Sequence, residues 1–131
     1  MGKNEEKYAA VIDDKTLAVA VNVTVVFVDT KTMKRIDWIP MRDKCIGIAY
    51  VKNQLVVNCI TRGLIIMDIY GNVARKLKSI TGSIHICTLD DKTIVLFNLL
   101  SKKIECLDMP TSRKTSYIPI QDTRGPKCVN K

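Results

Sequence analysis

The sequence predicts an all-β chain, a partial β-propeller of about three four-stranded antiparallel blades. Three features predict it: short β-branched runs bounded by turn residues, a DDKT tetrapeptide that occurs twice, and an aspartate that returns at a nearly constant spacing. Apolar residues make up 47% of the chain and charged residues 26%, which excludes both a disordered polymer and a membrane-buried one. No long stretch carries a 3.6-residue apolar period, so no helix is expected.

The first repeat contains four strand-like runs, at about 8–12, 17–21, 24–29 and 34–39. Turn residues Asp13, Asp14 and Lys15 separate the first two. In the second repeat the runs fall at about 46–51, 55–59, 64–69 and 73–79, with Lys52 and Asn53 as the first turn and Tyr70-Gly71-Asn72 as the third. The third repeat opens with runs at about 84–89 and 93–98 around Asp90, Asp91 and Lys92. It continues with runs at about 104–108 and 113–118.

Two independent anchors set the period. Leu17, Leu55 and Ile94 follow equivalent turns at spacings of 38 and 39, and Asp29, Asp68 and Asp108 close equivalent strands at spacings of 39 and 40. Four short strands in about 40 residues is the size of a propeller blade, whereas leucine-rich and helical repeats need a helix in every unit. The expected layout is a flexible N-terminus at 1–7, blades at 8–40, 45–80 and 83–119, and a lead-in to a further blade at 120–131 that stops early. A closed propeller takes about four to eight blades. Self-association, or completion by another chain, is therefore expected.

The aspartates Asp29, Asp68 and Asp108 are expected to be structural, because a carboxylate opening a turn can accept its backbone N–H groups. Catalytic or calcium-binding acids of a propeller lactonase or esterase would have to sit on the innermost strands. The runs at 46–51 and 84–89 have none. No nucleophile elbow or phosphate loop is found, His85 is a lone histidine with a structural role, and no cofactor is expected. The cysteines Cys45, Cys59, Cys87, Cys106 and Cys128 form no CxxC pair, so no metal site is expected and buried, reduced thiols are. Trp38 and Tyr117 occupy matched positions on the outer strands and are expected to pack between blades, with a partner interface as the alternative.

A formal net charge of +8 raises RNA as a partner. Loops joining second to third strands, and one blade to the next, carry Arg42, Lys44, Arg62, Lys102, Lys103, Arg124 and Lys127 against only Asp43 and Asp122. This is the candidate face for a protein partner or RNA. Its poverty in aromatics weakens a base-stacking mode. The longest near-apolar run, 17–28, is too short and too polar to span a bilayer, and no signal peptide opens the chain, so no membrane association and a cytoplasmic location are expected.

The stretch from Cys45 through Gly47-Ile48-Ala49-Tyr50-Val51 and Gln54-Leu55-Val56-Val57, with Gly63 to Asp68 and Gly71-Asn72-Val73, resembles the NHL-like propellers of tripartite-motif (TRIM-type) proteins, especially molluscan ones. The resemblance covers about residues 8–129. It implies a non-catalytic protein-interaction module, with RNA binding through a basic face in some members. Such proteins usually carry RING and B-box zinc modules and a coiled coil ahead of the propeller. The chain has none of their Cys/His clusters or heptads, so the resemblance does not extend to ubiquitin-ligase activity. A fragment without autonomous function is a further reading.

Overall fold

In the computed structural model the described residues are 7–77, 84–98 and 102–117. They form twelve strands in three separate four-stranded antiparallel sheets, each with its strands in sequence order. The first sheet is β1 (Lys7–Asp13), β2 (Thr16–Val21), β3 (Thr24–Asp29) and β4 (Arg35–Pro40). The second is β5 (Cys45–Val51), β6 (Gln54–Cys59), β7 (Gly63–Met67) and β8 (Val73–Leu77). The third is β9 (Ile84–Thr88), β10 (Thr93–Asn98), β11 (Lys103–Asp108) and β12 (Arg113–Tyr117). The chain divides into two compact units, 1–79 with the first two sheets and 80–131 with the third.

Short hairpins follow from the turn chemistry. Lys52 and Asn53 both take positive φ, 50° and 67°, which is the backbone of the two-residue turn that matches strand twist. The Asp13 carboxylate accepts the Lys15 N–H at 2.8 Å, and Asp90 accepts that of Lys92 at 2.8 Å. The two DDKT segments thus build the same turn. The likeness continues downstream. Thr30 N–H reaches Lys15 O at 2.9 Å and Met109 N–H reaches Lys92 O at 2.7 Å. Met33 and Ser112 close their loops onto Asp29 O and Asp108 O, each at 2.7 Å. They do so with φ of 58° and 62°.

In the first unit the core lies between the two sheets. Ala18 and Ala20 of β2 with Val25 and Phe27 of β3 meet Ile48, Leu55, Val57, Ile65 and Met67 of the second sheet. Small alanines on β2 let the sheets approach closely, and the larger aliphatics opposite fill the gap. β2 and β3 alternate between buried and partly exposed positions. β6 and β7 are buried on both faces, apart from half-buried Gln54 at the start of β6. A run such as Leu-Ile-Ile-Met in β7 reads as a doubly covered strand. In the second unit, Ile94, Leu96 and Leu107 occupy the buried face of the third sheet.

Cys87 is disulfide-bonded, which corrects the expectation of reduced thiols throughout; Cys45, Cys59 and Cys106 are free. Trp38 does not pack between the two sheets of the first unit. It is 55% exposed on β4, and the Arg35 guanidinium lies 5.1 Å from its ring centre. It points away from the core because Ile39, its neighbour, takes the inward position of the pleat.

Candidate functional site

One end of the first unit is organised by the link between its two sheets. Met41 N–H donates to Val23 O at 2.8 Å, and Cys45 N–H donates to Asn22 O at 2.7 Å, tying the link to the β2–β3 turn. Ile60 N–H donates to Lys44 O at 3.0 Å, tying it also to the β6–β7 turn. Asp43 sits at the junction. Its carboxylate accepts the N–H of Lys44 at 2.9 Å, of Thr61 at 2.8 Å and of Arg62 at 2.7 Å. Burial pushes the Asp43 carboxyl up, but the three N–H donors outweigh it and hold the group below the ordinary aspartate value.

Because Asp43 is occupied by backbone donors, the cations around it are left for other uses. The Arg62 guanidinium donates to Met41 O at 2.6 Å with one nitrogen. It has further N–H groups to offer. Arg42, at φ 61°, is exposed and makes no ion pair among the described residues. Both arginines line a groove of about 300 Å³ whose other walls are Ile39, Pro40, Met41, Ile65, Met67, Gly71 and Val73. Met41, Ile65 and Met67 are buried, so the floor is firm, while Val73 is 46% exposed at the lip. Gly71 has φ +94°, and a Cβ there would meet Ile39 Cγ2 at 3.3 Å. Asp68 fixes this loop by accepting Tyr70 N–H at 2.8 Å and Asn72 N–H at 3.0 Å, and its other oxygen accepts the Asn72 side-chain amide at 3.0 Å.

The structure therefore brings Arg42, Lys44 and Arg62 to one end of the first unit. Lys102 is exposed at φ 56° before β11 in the second unit, and Lys103 begins β11. The side chain of Lys103, and Arg124 and Lys127 altogether, lie outside the described residues. Among the turn aspartates, Asp29 accepts Lys31 N–H at 2.9 Å and Asp108 accepts Thr111 N–H at 3.2 Å. Among the described residues no group of three His, Cys, Asp or Glu side chains could hold a metal ion. The apolar walls of the groove carry no signal in the sequence. They are ordinary strand residues that become a surface only where two sheets meet.

A second surface is the outer face of the first sheet. Val11 and Leu17, Val19 and Val26, and Val26 and Trp38 are direct cross-strand partners on it. Val11 is 65% exposed, and Leu17, Val19, Val26 and Val28 are each half-buried. No charged side chain interrupts this patch on β2 or β3.

No protein-family model matches the chain, and no curated protein matches it. Solved structures do. The RRP9 WD40 repeats superpose with a TM-score of 0.70 at 14% identity, over 84% of this chain and 36% of that one. Hydrazine synthase from Kuenenia stuttgartiensis gives 0.71 at 21%, over 88% and 36%. BamB from Moraxella catarrhalis gives 0.65 at 15%, over 83% and 35%. The fold is that of β-propeller blades, and the chain spans about a third of the length of each of these proteins. An enzyme stands among them, so the fold alone does not choose between catalysis and binding.

Proposed function

We propose that this chain is a non-catalytic interaction module of the propeller type, which acts by docking protein partners. The observation that carries the reading is the open outer face of the first sheet. Its inner face is closed by a four-stranded sheet through Ala18, Ala20, Val25 and Phe27. Its outer face offers Val11, Leu17, Val19, Val26 and Trp38 to solvent in part. An apolar sheet face of this width is stable only when another layer covers it. The fitting occupant is a further four-stranded blade, and the proposal assigns it to a second chain. The resemblance to NHL-like propellers of tripartite-motif proteins supports the same reading, and a cytoplasmic location is proposed with it. Val26→Lys and Trp38→Asp substitutions test it. They should convert an associating protein into a monomer by light scattering while the melting transition survives. A wild-type chain that is monomeric at all concentrations overturns it.

RNA binding is the second reading, favoured by the clustering of Arg42, Lys44 and Arg62 at one end of the unit. Phosphate neutralisation would make affinity fall steeply with salt. Replacing these three by glutamine should flatten that dependence, and unchanged binding would retire the idea.

A further inference from the structure

We propose that the groove between the first two sheets binds an acidic, leucine-rich or phenylalanine-rich peptide segment, with a carboxylate on Arg42 and Arg62 and an apolar side chain on the floor beside Val73. The inference rests on the module being a binding protein, but it uses a different surface from the open sheet face.

The chemistry on the groove wall is of two kinds set side by side. Arg42 and Arg62 line the groove together with exposed Pro40 and Val73, above buried Ile65 and Met67. Arg42 lacks a carboxylate partner among the described residues, and its sequence neighbour Asp43 already accepts three backbone N–H groups. A guanidinium without a partner on a chain of net charge +8 attracts anions, and its planar fork suits a carboxylate. The remaining wall excludes a purely anionic ligand as the best fit. A phosphate chain would leave Pro40 and Val73 uncovered, and no aromatic ring lines the groove for a base to stack on. An apolar side chain of leucine or phenylalanine size suits a groove of about 300 Å³. Rigidity favours binding as well. Asp43 and Asp68 hold the two loops that form the rim, so little ordering is needed when the ligand arrives.

The test uses fluorescence anisotropy with three dye-labelled decapeptides, alternating glutamate–leucine, glutamate–serine and lysine–leucine, and a decanucleotide of single-stranded RNA. The expected result is saturable binding of the glutamate–leucine peptide alone. Arg42→Gln should weaken it about tenfold, the scale of one lost charge-assisted hydrogen bond. Val73→Asp should weaken it similarly by placing a like charge at the lip. Trp38→Asp should leave it unchanged, which separates this site from the open sheet face. The proposal is overturned if the lysine–leucine peptide binds equally well, or if Arg42→Gln has no effect. It is also overturned if the RNA or the glutamate–serine peptide binds as tightly as the glutamate–leucine peptide, since phosphate or charge alone would then explain the site.

Discussion

The guanidinium of Arg62 donates to the backbone carbonyl of Met41 at 2.6 Å, across the seam between the β6–β7 turn and the link that joins the first two sheets. The same residue's N–H donates to Asp43. Arg62 therefore fastens the rim from both its main chain and its side chain. Hydrogen bonds to charged groups contribute about 1.5–3 kcal/mol. Solvent access at this exposed residue lowers the expectation to about 1 kcal/mol. Arg62→Met should cost that much in urea denaturation followed by Trp38 fluorescence. Arg62→Lys should recover little of it, because an ammonium cannot copy the planar fork.

Acid should loosen the same seam. Burial pushes the Asp43 carboxyl up, but N–H groups of the folded chain hold it below the ordinary aspartate value. Asp68 is likewise lowered, first by the Asn72 side chain and then by its N–H, and Asp90 by the Lys92 N–H. A depressed folded pKa means the unfolded chain binds the proton first. The stabilisation is complete above about pH 4, and it is lost as pH falls through the lower folded values. Equilibrium unfolding from pH 6 to pH 2 should show this decline. Asp43→Asn should be less stable at pH 6, with a smaller difference from wild type at pH 2.

Asn58 is fully buried on β6, between Gly47 and Leu64 in register, and neither atom of its carboxamide has a hydrogen-bond partner among the described residues. An unsatisfied buried amide costs about 1–3 kcal/mol, whereas an apolar side chain of the same size carries no such cost. Asn58→Leu should raise the urea midpoint without changing the slope, by about 1 kcal/mol. Asn58→Asp should lower it by more, since a buried unpaired charge is worse than a buried amide. A destabilised leucine variant would overturn this reading.

Much of the architecture was legible because a repeat leaves two separate marks. DDKT at Asp13 and Asp90 marks the first turn, and Asp29, Asp68 and Asp108 mark the third. Both come from local turn chemistry, so both can be read without the fold. The groove could not be read this way. Met41 and Met67 become neighbours through sheet packing, and nothing local distinguishes them from other core residues. Arg42 and Arg62 were visible as charges. That Asp43 would be taken by backbone N–H groups, leaving Arg42 without a partner, depends on long-range hydrogen bonds at sequence separations of 18 and 19. Which side of the pleat Trp38 occupies was not legible, because its apolar character does not say.

The loop at Gly71 gives a narrow test of the rim. Its φ of +94° is a conformation side chains rarely adopt, and an added Cβ would meet Ile39 Cγ2 at 3.3 Å. Gly71→Ala should destabilise the first unit by about 1–2 kcal/mol through backbone strain. It should also narrow the groove, because Ile39 lines it. Chemical denaturation reads the first effect, and peptide affinity measured well below the melting temperature reads the second.

Cys45 and Cys59 are direct cross-strand partners at the end of β5 and β6, both free and almost wholly buried. The adjacent pair is the hydrogen-bonded one, through Ile60 N–H and Lys44 O. The cysteines thus occupy a non-hydrogen-bonded position, where Cα atoms lie about 4.5 Å apart. A disulfide spans roughly 4.4–6.8 Å between Cα atoms, so the strands need not move far to accept one. The hydrogen bond between the two thiols and their burial push the Cys45 thiol up. With oxidised glutathione, one sulfur of the pair attacks a glutathione sulfur and releases a glutathione thiol. The other sulfur of the pair then displaces the second glutathione and closes the bond. Burial should make the reaction slow in buffer and faster in mild urea. Peptide mass mapping should find a 45–59 link in wild type and a glutathione adduct on Cys59 in Cys45→Ala. Modification of Cys106 alone, with the pair still reduced under urea, would refute the assignment.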